Sequence, residues 1–258
     1  MTRYPEHRDP WKADEWHSLL DGLDLKAKPT FVAGRPAGGS PPAGHSQPAL
    51  QQLLDSDKHV LACDLVCNLV DPLRDRQKRL GMPARRMQLA KNGLVKDGLV
   101  KEVWVGKVLL PAPTPELYET LGMKSPYRNN RWDIHSFLVL AAAKLIEPDS
   151  LVKYVRPEVP LSETGSTLDL GVYLKDGRRW AYEIVHKCVT NVSSHAAKLQ
   201  GHGFCLVVFL CTDFNVKQRV WKLIRDAGFP PSYLSTIRCQ LFSSLIRRRK
   251  ELMLKDLS

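Results

Sequence analysis

The chain has 258 residues, which allows one large domain or two modest ones with separate cores. Its hydrophobic content of 43% is that of a globular protein, no run of about 18 apolar residues offers a membrane span, and the charged N-terminus lacks the apolar core of a secretory signal. The formal net charge of +11 points to a polyanionic partner. Six scattered cysteines in a chain without an export signal argue against a disulfide framework and for buried core thiols in a cytoplasmic protein. Cys63 and Cys67 lie four apart on a predicted helix, but zinc would need two further ligands at comparable spacing.

Residues 1–48 set Trp11 and Trp16 among charges and then run into the Gly/Pro/Ser-rich stretch of 34–48. Such a composition cannot bury a core and predicts a flexible segment and linker. Apolar residues at helical spacing follow over Ala49–Leu54 and Val60–Val70. Asp71-Pro72 predicts a helix start, with Asp as the cap and Pro in the first position, and Gly81 its end. Met82-Pro83 opens a second helix that runs to Asp97 and stops at Gly98. Leu99–Val105 and Lys107–Leu110, around Gly106, predict a short hairpin. Between Pro72 and Lys101 stand nine Lys or Arg against two acidic residues, so much of the positive excess sits in one element, as a phosphate-binding face requires.

Helix, tight turn, helix and hairpin, with the phrase LVKDGLVKEVWVGKVLL over 94–110, resemble a winged helix-turn-helix module covering 49–113. The resemblance implies that the helix over 83–97 enters the major groove of double-stranded DNA. Arg85, Arg86, Gln88, Lys91 and Asn92 would then face the bases, because forked Arg and amide groups match guanine and adenine edges. Lys107 would sit on the wing, and Arg74, Arg76, Lys78 and Arg79 would hold phosphates.

Pro111 to Pro115 read as a stiff connector into a second region, 114–229. Trp132–Ile146 predicts a helix, Val152–Val159 and Thr167–Leu174 strands, Asp176-Gly177 a hairpin turn and Arg179–Val185 its return strand. Cys188–Leu199 predicts a helix, the apolar run Phe204–Cys211 a central buried strand, and Phe214–Ala227 a further helix. Residues 230–258 form a basic tail in which Arg247 to Lys250 lie on a predicted amphipathic helix.

The order α-β-β-β-α-β-α, with Asp169 in the second strand and Glu183 in the third, resembles the restriction-endonuclease-like domain of the PD-(D/E)xK superfamily. The wording from Trp180 to Lys187, Asn191, Lys198 and Gly203-Phe204 resembles the version found beside winged helices in plasmid, integrative-element and archaeal DNA-processing proteins. The whole chain is thus expected to be α+β and α/β: a winged helix followed by an α/β sandwich with a mixed central sheet. The resemblance implies that Asp169 and Glu183 bind Mg²⁺, which would stabilise the transferring phosphoryl group and generate a hydroxide. The lysine expected two residues after the glutamate is Val185; Lys187 or Lys198 would have to stand in, and Glu147, more than Glu158, would complete the metal site. His186 and His195 can carry protons near the same helix start. Three readings follow. One is a Mg²⁺-dependent DNA endonuclease. Another is a non-catalytic DNA-binding regulator or mobile-element replication or transfer accessory protein. The last is an assembly subunit that grips a homodimer mate or a DNA-processing partner.

Overall fold

The computed structural model describes residues 56–127, 132–161 and 165–255, all within one compact unit. The N-terminal segment and linker, the helix expected over 49–54 and most of the turn before Ser166 lie outside the described residues. Among the described residues no helix is long and apolar enough to cross a membrane. The architecture is mixed α+β, with a two-stranded hairpin and a separate five-stranded sheet.

The first part holds α1 (Ser56–Cys67), α2 (Leu73–Leu80), α3 (Ala84–Lys96), β1 (Val100–Val105), β2 (Val108–Pro113) and α4 (Pro115–Thr120). Leu61, Ala62 and Leu65 of α1 meet Met82, then Met87, Ala90 and Leu94 of α3, with Leu99, Val100 and Leu117 closing the cluster. Gly81 ends α2 at φ 60°, a left-handed conformation that costs glycine little and turns α3 across the earlier helices. The cap of α2 is Pro72, not Asp71. Asp71 instead accepts from Arg79 Nη1 at 2.6 Å.

Two expectations need correction here. Pro111 and Pro113 are not a free connector but part of β2, buried and paired with Glu102 and Val100 of β1. A two-stranded ribbon leaves prolines an outer edge where no donor is needed. Leu117 then packs into the first core and the Tyr127 hydroxyl donates to the Pro113 carbonyl at 2.7 Å, so the boundary set at 113 divides a packed cluster.

The second part begins with α5 (Ile134–Ile146) and continues through β3 (Val152–Leu161), β4 (Ser166–Leu174), β5 (Arg179–Val185), α6 (Val192–Leu199), β6 (Leu206–Cys211), α7 (Phe214–Asp226), α8 (Pro231–Leu234), β7 (Ile237–Leu241) and α9 (Phe242–Lys255). The sheet order is β3-β4-β5-β6-β7, antiparallel across β3, β4 and β5 and parallel across β5, β6 and β7. Side chains alternate across β5. Ala181 and Val185 join a core with Val192, Ala196 and Leu199 of α6 and Val216, Val220 and Ile224 of α7. Trp180 and Tyr182 face Leu145 and Ile146 of α5 and Leu245 of α9. The sheet is therefore a middle layer between two helix pairs.

The basic tail corrects in the same way. The helix expected around Arg247 is α9, but Ile237–Leu241 before it is the sheet's fifth strand, Phe242 and Leu245 are buried, and Arg248 donates to Asp149 at 2.6 Å. Of the cysteines, Cys211 is enclosed, Cys63 and Cys239 are half-buried, and Cys67, Cys188 and Cys205 are exposed, so the expectation of core thiols holds for few of them. All are free. The hairpin turn reaches the sheet: a Cβ at Gly106 would stand 3.8 Å from the carbonyl oxygen of Thr212, at the end of β6.

Candidate functional site

Sequence alone places Asp169 on β4 and Glu183 on β5. The registered ladder between these strands stops at Leu170 and Tyr182, one residue short of them. Where it stops, side chains take over the backbone's hydrogen bonds. Asp169 Oδ2 accepts from the Ile184 N–H at 2.7 Å. Both carboxylates line one open cleft of about 280 Å³, with His135, His186, Cys188, Asn191 and His195 around it.

Each carboxylate meets an imidazole. His135 Nε2 lies 3.0 Å from Asp169 Oδ1, and His195 Nδ1 lies 2.8 Å from Glu183 Oε2. His135 sits in the first turn of α5, whose cap Asp133 accepts from the Ser136 N–H at 2.7 Å. His195 projects from the middle of α6. Among the described residues neither Asp169 nor Glu183 is bonded to a lysine or arginine, and each meets one of these two rings.

The electrostatics follow from burial. The Glu183 side chain is 6% exposed, and burial pushes its carboxyl above the usual carboxylate range, opposed by the hydrogen bond from His195 and reinforced by the negative Asp169. The hydrogen bond that Asp169 accepts lifts the His135 ring above the ordinary histidine range, and the one that Glu183 accepts does the same for His195. Burial holds His186 below that range, favouring its neutral form. Among the described residues neither ring nitrogen of His186, nor the Thr212 hydroxyl on the adjoining strand, has a hydrogen-bond partner. One cleft thus holds proton-rich and proton-poor imidazoles together, a division that suits acid–base work.

Other expected members lie elsewhere. Glu147 follows the last turn of α5, about 18 Å along the helix from His135 at ~1.5 Å per residue, and bonds Lys144 at 2.9 Å. It is not a partner of Asp169; His135, at the opposite end of the same helix, holds that place. Glu158 is exposed on β3. Lys187 is exposed just beyond β5 at φ 61°, a conformation a side chain rarely adopts, and Lys198 is exposed on α6; neither lines the cleft. Val185 is packed into the core between β5 and α6.

A cation is compatible with the donor set, because a buried carboxylate beside a second one is costly without positive charge. Asp169, Glu183, His135 and His195 would supply two oxygen-bearing and two nitrogen-bearing groups, a mixture suited to Mn²⁺ as well as Mg²⁺. Among the described residues, however, no three His, Cys, Asp or Glu side chains are already gathered as a metal centre. A cation would have to open an imidazole–carboxylate contact.

The basic residues between 72 and 101 divide into two sets. Arg76 is fully buried, donating to Asp64 Oδ2 at 2.6 Å, to the Asp64 carbonyl at 2.8 Å and to the Asp71 and Asn68 carbonyls. Arg79 bridges Asp64 and Asp71, Arg86 binds Asp57 through paired bonds of 2.5 and 2.6 Å, and Lys91 is buried against Glu102. Arg76 and Lys91 are therefore corrected from nucleic-acid contacts to internal ties, and Arg79 and Arg86 are largely spent on the protein's own acids. The second set remains outward. Arg74, Lys78, Arg85, Lys96 and Lys101, joined by Lys107 on the hairpin turn, are exposed, with no ion pair among the described residues. Gln88 and Asn92 are exposed one turn apart on α3 and bond each other at 3.0 Å. Leu89, between them, is 61% exposed.

His135 was missed from sequence, although the Asp133 cap that sets it in the first helical turn was readable. The chain matches no protein-family model, no curated protein and no solved structure.

Proposed function

We propose that this chain binds double-stranded DNA through a winged helix-turn-helix formed by α1, α2, α3 and the β1–β2 hairpin, and acts on a phosphodiester in a nuclease-like cleft at the end of β4 and β5. The observation that carries the reading is the meeting of Asp169 with the buried Glu183 in an open cleft, with no lysine or arginine bonded to either among the described residues. Such a pair is expensive as architecture and useful as a cation-dependent hydrolytic site. When bound, a divalent cation would supply charge stabilisation for the phosphoryl group. The chain's own groups would hold the cation with Asp169 and Glu183, donate protons from His135 or His195, and accept one at the unpartnered nitrogen of His186.

On the DNA side, Arg85, Gln88, Leu89 and Asn92 form the outward face of α3, with Arg74, Lys78 and Lys107 as phosphate contacts. The apolar Leu89 suits a thymine methyl group. The hairpin turn beside Thr212 brings this module close to the cleft, since Thr212 follows directly on β6 and His186 on β5, paired strands in register at Cys211 and Val185.

A second reading has one observation in its favour. Val185 is buried where the resembled family carries lysine, and Lys187 and Lys198 stand outside the cleft. That supports a DNA-binding protein whose nuclease-like site no longer cuts. Gel-shift and supercoiled-plasmid nicking assays, in Mg²⁺ or Mn²⁺ and in chelator, separate the two. The first reading expects duplex binding in both buffers, nicking only with the cation, and loss of nicking without loss of binding in Asp169→Ala and Glu183→Ala. Binding without nicking selects the second, and absence of duplex binding at low salt removes both.

A further inference from the structure

Outside the cleft, a row of aromatic and charged side chains crosses the sheet and ends at Phe204, which packs against the edge of the core between β5, α6 and α7. Tyr154 on β3 stands opposite Tyr173 on β4, which stands opposite Arg179 on β5. The two tyrosine rings are stacked, 4.3 Å between centroids and 16° between planes. Tyr154 is 47% exposed, and Tyr173 is half-buried. Arg179 continues the row: its guanidinium lies over the Phe204 ring, 5.4 Å from the centroid, and its Nη2 donates to the His202 carbonyl at 2.9 Å. Gly203 leaves room for it, because a Cβ there would fall 2.8 Å from that nitrogen. Arg156, two residues from Tyr154 on the same face of β3, is also exposed, and its charge and that of Arg179 both act on the Tyr154 hydroxyl. Aromatic rings interleaved with guanidinium groups along a sheet face offer bases a surface to stack on and phosphates a counter-charge.

The row is on the same face of β4 as Asp169, four residues away, about 13 Å at ~3.3 Å per residue. Gly171, between the two, is buried, and Val159 Cγ2 stands 2.8 Å from where its Cβ would be, so the row and the carboxylates share a sheet face with core between them.

We propose that the row Tyr154, Tyr173, Arg179 and Phe204 is a stacking platform for unpaired bases of single-stranded DNA. The platform rests on the DNA-handling reading of the chain, but on none of the residues that carry that reading. It predicts that the protein holds an unpaired strand by a surface different from the one that holds the duplex.

The test is fluorescence anisotropy on the full chain with a labelled 20-nucleotide oligothymidylate, its uridylate counterpart and a 20-base-pair duplex. Tyr154→Ala should weaken oligothymidylate binding about tenfold, in line with loss of one base–aromatic stack. Tyr154→Phe should bind as wild type, and duplex affinity should be unchanged in both. Arg156→Ala should lower the salt dependence of single-strand binding without affecting the duplex. Undiminished oligothymidylate binding in Tyr154→Ala, or equal losses for duplex and single strand, would overturn the platform. Tighter binding of the uridylate would overturn its assignment to DNA. Failure of Asp169→Ala to alter nicking would bear on the cleft alone and leave these affinities unchanged.

Discussion

Arg76→Ala should destabilise the protein by about 3–5 kcal/mol, the usual cost of breaking a buried ion pair from one side. The magnitude follows from what the guanidinium holds. It bonds the Asp64 carboxylate and three main-chain carbonyls, those of Asp64, Asn68 and Asp71, which tie the end of α1 to α2. Removing it takes one donor from each of those carbonyls, though Asp64 O and Asn68 O keep the Asn68 and Asp71 N–H groups, and leaves a vacancy the length of an arginine. Asp64 would keep Arg79 and the Asn68 amide, which places the loss toward the lower end of that range. Urea denaturation followed by circular dichroism would read the loss as a lower midpoint with an unchanged slope. Arg74→Ala, two residues away and exposed, serves as the control and should stay within about 0.5 kcal/mol of wild type. A loss below about 1 kcal/mol in Arg76→Ala would refute the argument that this arginine is an internal tie rather than a phosphate contact.

Arg85→Ala and Lys78→Ala should each weaken duplex binding and reduce the slope of log affinity against log salt by about one, while leaving the unfolding midpoint unchanged. Cation binding should strengthen as pH rises through the raised titrations of His135 and His195, because each protonated ring competes with the cation for a carboxylate; titrating Mn²⁺ at pH 6 and pH 8 and finding no increase would argue against these carboxylates as ligands. Glu183→Gln should make the protein more stable at pH 8 while abolishing cation binding. The folded-state carboxyl titrates above its unfolded value, so its contribution to stability is lost as pH rises through that titration, and the amide removes the loss. Thermal unfolding at pH 5 and pH 8 checks this: the advantage of the variant should grow with pH.

Most elements were legible because their signals are local. Asp213 capping α7, the Asp176-Gly177 turn and the apolar run of β6 each point one way, and the strands β4 and β5 begin and end within a residue of expectation. The helix expected from Cys188 starts four residues later, after Lys187 takes a left-handed turn, a conformation that lysine does not announce. The strand Ile237–Leu241 has no expectation in the sequence, because five residues with mixed polarity fit neither period clearly and only β6 beside it decides. Asp169 and Glu183 could be named from their places on neighbouring strands. His135 could not, since it reaches Asp169 across 34 residues of chain. Charge density located the basic module but not its outward face. Which arginines are spent inside depends on Asp57, Asp64 and Asp71, whose partners are set by how α1 packs on α2 and α3.

The account depends most on the two carboxylates acting together on a cation. Electron paramagnetic resonance of Mn²⁺ titrated into the full chain reads this without any assumption about substrate. Wild type should remove free Mn²⁺ from the signal with saturation at the protein concentration, and Asp169→Asn and Glu183→Gln should each abolish that uptake. Identical uptake by all three proteins, or none by wild type at pH 8, would contradict the account.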